Sequence, residues 1–144
     1  MNFWDSSALV PLFVTQAGSQ QLGALANDDP DIVTSWITQV ECWSAFARLV
    51  REGEITSAEA EDARRVLSSL AEEMTEVALD EEARSAAGRL LRMHPLRASD
   101  SLQLASAILW ARGHPDGHVF ICLDSRLAEA ARLEGFTVLP SAQE

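Results

Sequence analysis

The chain has 144 residues, with 22 acids against 11 cations and a formal net charge of −11. All 11 cations are arginine, and the missing lysine excludes a Walker-A phosphate loop, a Schiff-base enzyme and a lysine general base, and argues against a phospho-acceptor receiver domain. The length suits a single domain over residues 1–144 with ordinary globular composition (47% hydrophobic, 23% charged), and so acidic a balance argues against a general DNA-coating protein.

In chain order, Asn2 to Asp5 reads as a short apolar strand that ends in an acid. Ser6 to about Val14 reads as a short helix, with Pro11 tolerable only near its first turn. Gly18 to Ala26 is a second helical piece, and Asn27-Asp28-Asp29-Pro30-Asp31 is a turn rich in breakers. The β-branched run Ile32, Val33 and Thr34 predicts a second strand. Ser35 then precedes a helix whose apolar positions Trp36, Val40, Trp43, Ala47 and Val50 follow the 3.6 period, and Gly53 stops it. Thr56-Ser57-Ala58-Glu59 is a capping box that opens a long helix to about Glu73. Val77 to Leu79 is a third strand; Asp80 caps a helix to about Met93, ended by Pro95.

Ser99-Asp100 opens another helix, its buried face marked by Leu102, Ala105, Ile108 and Leu109. His118 to Leu123 is the clearest strand, a continuous apolar run of the kind found in sheets covered on both faces. Asp124-Ser125 begins a helix to Glu134 with Gly135 at its end, and Phe136 to Leu139 is a final strand. Strands alternating with helices predict an α/β fold of three layers, α/β/α, around a central, mostly parallel sheet of four to five strands.

Cys42 and Cys122 lie in distant apolar runs with no C-x-x-C, so two buried thiols are expected and a zinc site is not. No basic segment precedes the first apolar residues, and no apolar run approaches the ~20 residues of a membrane span, so a cytoplasmic protein is expected. His94, His114 and His118 flank turns without a shared ligand spacing and read as surface residues. Trp4, Trp36, Trp43 and Trp110 read as core or interface rather than as a base-stacking platform. Arg48 and Arg51 read as the cationic last turn of their helix.

Four acids stand at element junctions: Asp5 and Asp124 after strands, Asp100 at a helix start, and Glu41 in the first turns of a helix that follows a strand. In parallel α/β sheets, sites gather at the carboxyl ends of the strands. Asp5, Asp100 and Asp124 are each also suited to be plain helix N-caps. Glu41 is set among Val40, Cys42, Trp43 and Ala45, and a carboxylate buried there needs a cation or a hydrogen-bond partner. Four converging carboxylates repel unless cations neutralise them, and oxygen-only ligands suit Mg2+ or Mn2+. Such a cluster can activate water and clamp a phosphodiester.

The local sequences resemble the PIN-domain ribonucleases, specifically the VapC-like toxins of toxin–antitoxin pairs. Phe3-Trp4-Asp5-Ser6-Ser7-Ala8-Leu9-Val10 resembles the family's first motif, and Thr34-Ser35-Trp36-Ile37-Thr38-Gln39-Val40-Glu41 its second. Leu96-Arg97-Ala98-Ser99-Asp100-Ser101-Leu102-Gln103-Leu104-Ala105 resembles the third, and Leu123-Asp124-Ser125-Arg126-Leu127-Ala128-Glu129-Ala130-Ala131 the fourth. The resemblance implies a Mg2+- or Mn2+-dependent ribonuclease, commonly dimeric and blocked by a cognate antitoxin with a basic or apolar inhibitory segment. Many members carry a basic residue soon after the first motif, where Val10-Pro11-Leu12 stands here.

In that reading Asp5, Asp100 and Asp124 ligate metal. Glu41 completes the site as a ligand or as acceptor of the attacking water's proton. Ser6 or Ser125 supports a carboxylate or a metal-bound water, and Arg97 and Arg126 contact RNA phosphates. Three rivals stand beside it. An aspartyl-phosphate phosphohydrolase normally has a second Asp two residues after the nucleophile, where Ser7 stands here. A non-catalytic interaction module of the same fold would keep the acids as vestiges. A housekeeping PIN nuclease would lack an antitoxin.

Overall fold

The structure, a computed structural model, describes residues 1–141. Its elements run β1 (Asn2–Trp4), α1 (Ser6–Phe13), α2 (Ser19–Asp28), β2 (Ile32–Ser35), α3 (Thr38–Arg51), α4 (Ser57–Ala71), β3 (Thr75–Val77), α5 (Glu81–Met93), α6 (Ala98–Trp110), β4 (Val119–Ile121), α7 (Ser125–Glu134) and β5 (Thr137–Leu139). The five strands form one sheet in the order β3-β2-β1-β4-β5, and every pairing is parallel. The expected α/β/α architecture is therefore the one that forms, with five strands.

Alternation along the strands builds the two cores. Phe3, Val33, Phe120 and Val138 point to one face, where Leu90, Leu104 and Leu127 of α5, α6 and α7 cover them. Their neighbours Trp4, Ile32 and Ile121 point to the other, under Leu9, Leu22, Phe46 and Leu67 of α1 to α4. Successive side chains leave a strand on opposite faces, so short runs such as Phe3-Trp4 and Phe120-Ile121 serve both layers. Fully burying each such side chain contributes about 1.5–3 kcal/mol.

The local signals set most element ends. Thr56 and Glu59 exchange both bonds of the capping box, at 3.1 Å each. Asp80 accepts from the Ala83 N–H at 3.0 Å. Gly135 ends α7 at φ 113°, a left-handed conformation that disfavours any residue with a Cβ.

Several elements differ from the expectation. The third strand is Thr75–Val77, two residues earlier than Val77 to Leu79, because Val33, Thr34 and Ser35 of β2 pair with it there. Pro11 sits in the second turn of α1, and the helix ends two residues later at Phe13. α3 starts at Thr38, and its buried face is Thr38, Cys42, Phe46 and Leu49. The expected stripe lies about a third of a turn away. Trp36 is 60% exposed and Val40 51% exposed, while Trp43 is half-buried with the Arg64 guanidinium 4.1 Å above its ring. α6 starts at Ala98, with Arg97 as its N-cap residue and Asp100 in its first turn. Its fully buried face includes Ser101, Gln103 and Ser106 beside Leu104 and Ala105, polar residues that an apolar count passes over. His94, expected at the surface, is buried: its Nε2 donates to Glu134 Oε2 at 2.7 Å, and Arg89 holds the other oxygen of that carboxylate at 2.8 Å.

Candidate active site

β1 is the central strand of the sheet. The chain leaves it toward β2 and β3 on one side, then returns on the other side as β4 and β5. The carboxyl ends of β1 and β4 thus flank a crevice where the topology reverses, the usual ligand position in open α/β sheets. Asp5 follows β1 and Asp124 follows the β4 segment, so both acids stand at that crevice.

Asp5 is 4% exposed, and its N–H donates to Ile121 O at 2.9 Å, extending the β1–β4 pairing by one residue. It is also the N-cap of α1. Oδ2 accepts from the Ser7 N–H at 3.1 Å and from the Ser7 hydroxyl at 2.5 Å. Ser7 Oγ in turn accepts the Leu123 N–H at 3.0 Å, tying the end of β1 to the segment after β4. Ser7→Ala is expected to destabilise the protein by about 1.5–3 kcal/mol, because it removes a hydroxyl bond to a buried charged group. Thermal denaturation at neutral pH checks this; an unchanged melting temperature contradicts the role given to Ser7.

Glu41 projects from the first turns of α3 and accepts a short hydrogen bond from Gln103 Nε2. The same amide nitrogen donates to Thr38 Oγ1 at 2.9 Å, and that oxygen also accepts the Ser35 N–H at 3.1 Å. Ser106 Oγ donates to Ser35 Oγ at 2.9 Å. This buried polar strip joins the end of β2 to α3 and α6, and it fixes where Glu41 points. Asp100, one turn before Gln103 on α6, accepts the Arg97 N–H at 3.3 Å. Asp124 is the N-cap of α7 and accepts the Leu127 N–H at 3.0 Å.

The four acids line one cavity of about 350 Å³, together with Ser7 and Arg48. An adjoining cavity of about 360 Å³ shares Asp100 and Asp124 with it and adds Arg97, Ser125 and Arg126. The structure therefore brings together all four acids found in the sequence. It sets Ser6 and Ser125 on the walls of these cavities, while the hydroxyl bound to Asp5 is that of Ser7.

Electrostatics follow from burial and crowding. Burial pushes the Asp5 carboxyl above the ordinary carboxylate range; the Ser7 hydroxyl and N–H pull it back, and the charges of Asp100 and Asp124 add to the rise. Burial lifts Glu41 to about 7, with the Asp5 and Asp100 charges adding to the rise and the Gln103 and Ser6 hydrogen bonds opposing it. Burial raises Asp100 as well, with the Arg97 N–H opposing it and the Asp124 charge assisting. Burial also lifts the Cys42 thiol to about 12 and moves Cys122 in the same direction, so both are inert free thiols.

Among the described residues no three His, Cys, Asp or Glu side chains are close enough to cage a bare ion. A hydrated divalent ion needs no such cage, because Mg2+ keeps several waters and takes one or two carboxylates. The donors here fit that demand: they are oxygen only, they share one cavity, and three of them hold protons more tightly than usual, chiefly through burial and further through neighbouring negative charge.

A family profile described as PIN domain matches residues 3–133, a span that holds all four acids. The chain belongs to the PIN-domain family. This PIN domain is 33% identical over 139 residues to Ribonuclease VapC45 of Mycobacterium tuberculosis, covering 96% of this chain and 94% of that protein. Identity and coverage are the same for Ribonuclease VapC49 of Mycobacterium tuberculosis. Among solved structures, FitAcB from Neisseria gonorrhoeae matches with a TM-score of 0.67 at 16% identity, covering 96% of each chain. A chain of a toxin–antitoxin complex from Klebsiella pneumoniae matches with a TM-score of 0.60 at 17% identity, covering 88% of each chain.

Three residues of this PIN domain's site carry no site expectation from the sequence: Ser7 and Arg48, which line the cavity, and Gln103, buried behind Glu41 and bonded to it. Ser7 and Gln103 sit inside the motifs quoted for Asp5 and Asp100, but their bonds span 116 and 62 residues. Arg48 carried the one usable signal. It lies seven residues after Glu41, two helical turns on, and so shares a helix face with it.

Proposed function

We propose that this PIN domain is a Mg2+- or Mn2+-dependent ribonuclease that acts as the toxin of a toxin–antitoxin pair. The observation that carries the reading is the convergence of Asp5, Glu41, Asp100 and Asp124, from four distant segments, on one cavity at the topological reversal. The 33% identity to two proteins named as ribonucleases supports RNA as the substrate.

Asp5, Asp100 and Asp124 would hold the metal. A bound Mg2+ or Mn2+ supplies Lewis acidity toward a phosphodiester and makes water more acidic. Hydrolysis adds water across the bond, so the site must accept one proton and return one to the leaving oxygen. Glu41, lifted to about 7, takes and releases a proton near neutral pH, and Gln103 keeps it aimed into the cavity. Ser7 fixes Asp5 Oδ2, which leaves Oδ1 for the site. Arg97 and Arg126 would contact phosphate bidentately, a role supported by their presence on the adjoining wall.

The antitoxin lays a basic or apolar segment across the acidic cleft, and the toxin is a homodimer; the resemblance of the four motifs to VapC-like toxins supports both. The protein works in the cytoplasm, a reading supported by two buried, unbridged thiols. Among the described residues no helix is long and apolar enough to cross a membrane.

The test is a cleavage assay on single-stranded RNA. Purified protein stripped with EDTA is expected to be inactive, to regain cleavage with Mn2+ or Mg2+, and to leave Ca2+-only samples uncut or slowed. Equal cleavage with and without EDTA would sink the metal-dependent reading.

A further inference from the structure

Beside the acidic cavity lies a larger one of about 690 Å³ that shares Ser6, Glu41, Ala45 and Arg48 with it. Its far wall carries Trp36 and Val40, and it runs on to Arg97, which also lines the third cavity. The three cavities form one trough past the four carboxylates. From the proposed ribonuclease reading, on which this step rests, we infer that the trough is a subsite for single-stranded RNA, with a base stacked on the Trp36 indole and flanking phosphates on Arg48 and Arg97.

The indole is 60% exposed, and Trp36 is anchored at the end of β2 by its N–H on Val77 O at 2.9 Å. A large aromatic ring exposed to water beside a cleft, on an anchored backbone, is a ready stacking surface, since every base offers a π-face. The cations agree. Arg65, Arg84, Arg89 and Arg132 are ion-paired to acids, and Arg64 is stacked on Trp43. Among the described residues Arg48 and Arg97 make no ion pair within 4.0 Å, as Arg51, Arg92, Arg112 and Arg126 do not, and of these six only Arg48 and Arg97 line the cavity that holds Trp36. In a chain of net charge −11, two guanidiniums without a close ion pair, lining the same cavity as an exposed indole, match a strand of alternating phosphates and bases. The guanidiniums of Arg48 and Arg97 on the trough wall favour an anionic substrate strand over a basic protein segment, which they would repel. Duplex RNA is disfavoured because its bases are stacked and out of reach of an indole.

The experiment measures kcat and KM for a short single-stranded oligoribonucleotide in Mn2+, with the oligomeric state followed by size-exclusion chromatography. Trp36→Ala is expected to lower kcat/KM by about 5- to 150-fold, mainly through KM, as loss of one stacked base does. Trp36→Phe should recover most of the loss. The salt dependence of KM should be unchanged in Trp36→Ala and shallower in Arg48→Ala, by about 0.7 in log–log slope for a lost phosphate contact. A wild-type KM in Trp36→Ala, a loss confined to kcat with no recovery in Trp36→Phe, or a shift in oligomeric state caused by Trp36→Ala would each overturn the subsite; the last would assign the indole to a protein interface. If wild-type protein cuts no RNA, the ribonuclease reading falls and takes the subsite with it. If it does cut RNA while Trp36→Ala binds normally, only the subsite falls.

Discussion

Asp5→Asn and Asp100→Asn are each expected to reduce RNA cleavage by about 1000-fold or more. A metal that stabilises developing charge on the phosphodiester contributes several kcal/mol, and each 1.36 kcal/mol is tenfold in rate. Removing one carboxylate charge from a weakly caged hydrated ion forfeits most of that. Stability should move differently. Asn caps a helix as well as Asp, so the Ser7 N–H keeps its acceptor in Asp5→Asn. The substitution also removes a charge that burial and two neighbouring carboxylates disfavour. Metal-free Asp5→Asn should therefore melt at or above the wild-type temperature at pH 8 while its cleavage is lost. That divergence marks a functional carboxylate, since a merely structural cap would leave activity intact. Cleavage at the wild-type rate in both variants, measured on the same RNA, would contradict the assignment of the site.

The second large effect couples metal to pH. Glu41 is raised from 4.5 to about 7, so the folded protein holds its proton more tightly than the unfolded chain. Its contribution to stability is complete below pH 4.5 and is lost as pH rises through about 7. Asp5 and Asp100 are raised too and act in the same direction. Metal-free protein should then melt several degrees lower at pH 8 than at pH 5. Glu41 alone accounts for about 1–2 kcal/mol of that after allowance for its partial exposure. Mn2+ at about 100 times its dissociation constant should restore almost 3 kcal/mol. At about 2–4 °C per kcal/mol this is roughly 5–10 °C. The gain should shrink toward pH 5, where protons compete for the same oxygens. Calorimetric scans of EDTA-treated protein with and without MnCl2 at the two pH values check both signs. A melting temperature indifferent to Mn2+ at pH 8 would support a vestigial acid cluster.

The four acids were legible because each sits where a local signal already points. Asp5 and Asp124 cap helices through N–H groups two and three residues away, and a cap is readable from the neighbouring residues. Asp5 and Asp124 follow strands that are plain in the apolar runs, and parallel strands put their carboxyl ends on one side. Asp100 lies three residues past its N-cap, so the helix start expected at Ser99-Asp100 falls slightly late but keeps Asp100 at the junction. Glu41 is marked by its apolar neighbours, and it is partly withdrawn from water.

The remaining features depend on packing at long range. On α3 the apolar residues spread over most of the circumference, so the 3.6 period finds the helix without fixing its phase. The sheet takes the Cys42–Phe46 face, and that choice turns Trp36 and Val40 outward beside the acids. His94 is hidden because a carboxylate 40 residues later closes on it, which no pattern around His94 foretells. Ser7 and Gln103 acquire their roles from partners brought close by the β1–β4 pairing and by α6 lying across β2. Order of elements, caps and the carboxylates at junctions arise from contacts within a few residues, so one dimension suffices to read them. Helix phase, buried polar partners and the joining of cavities into a trough arise from surfaces meeting across the chain, and only folding in three dimensions selects among them.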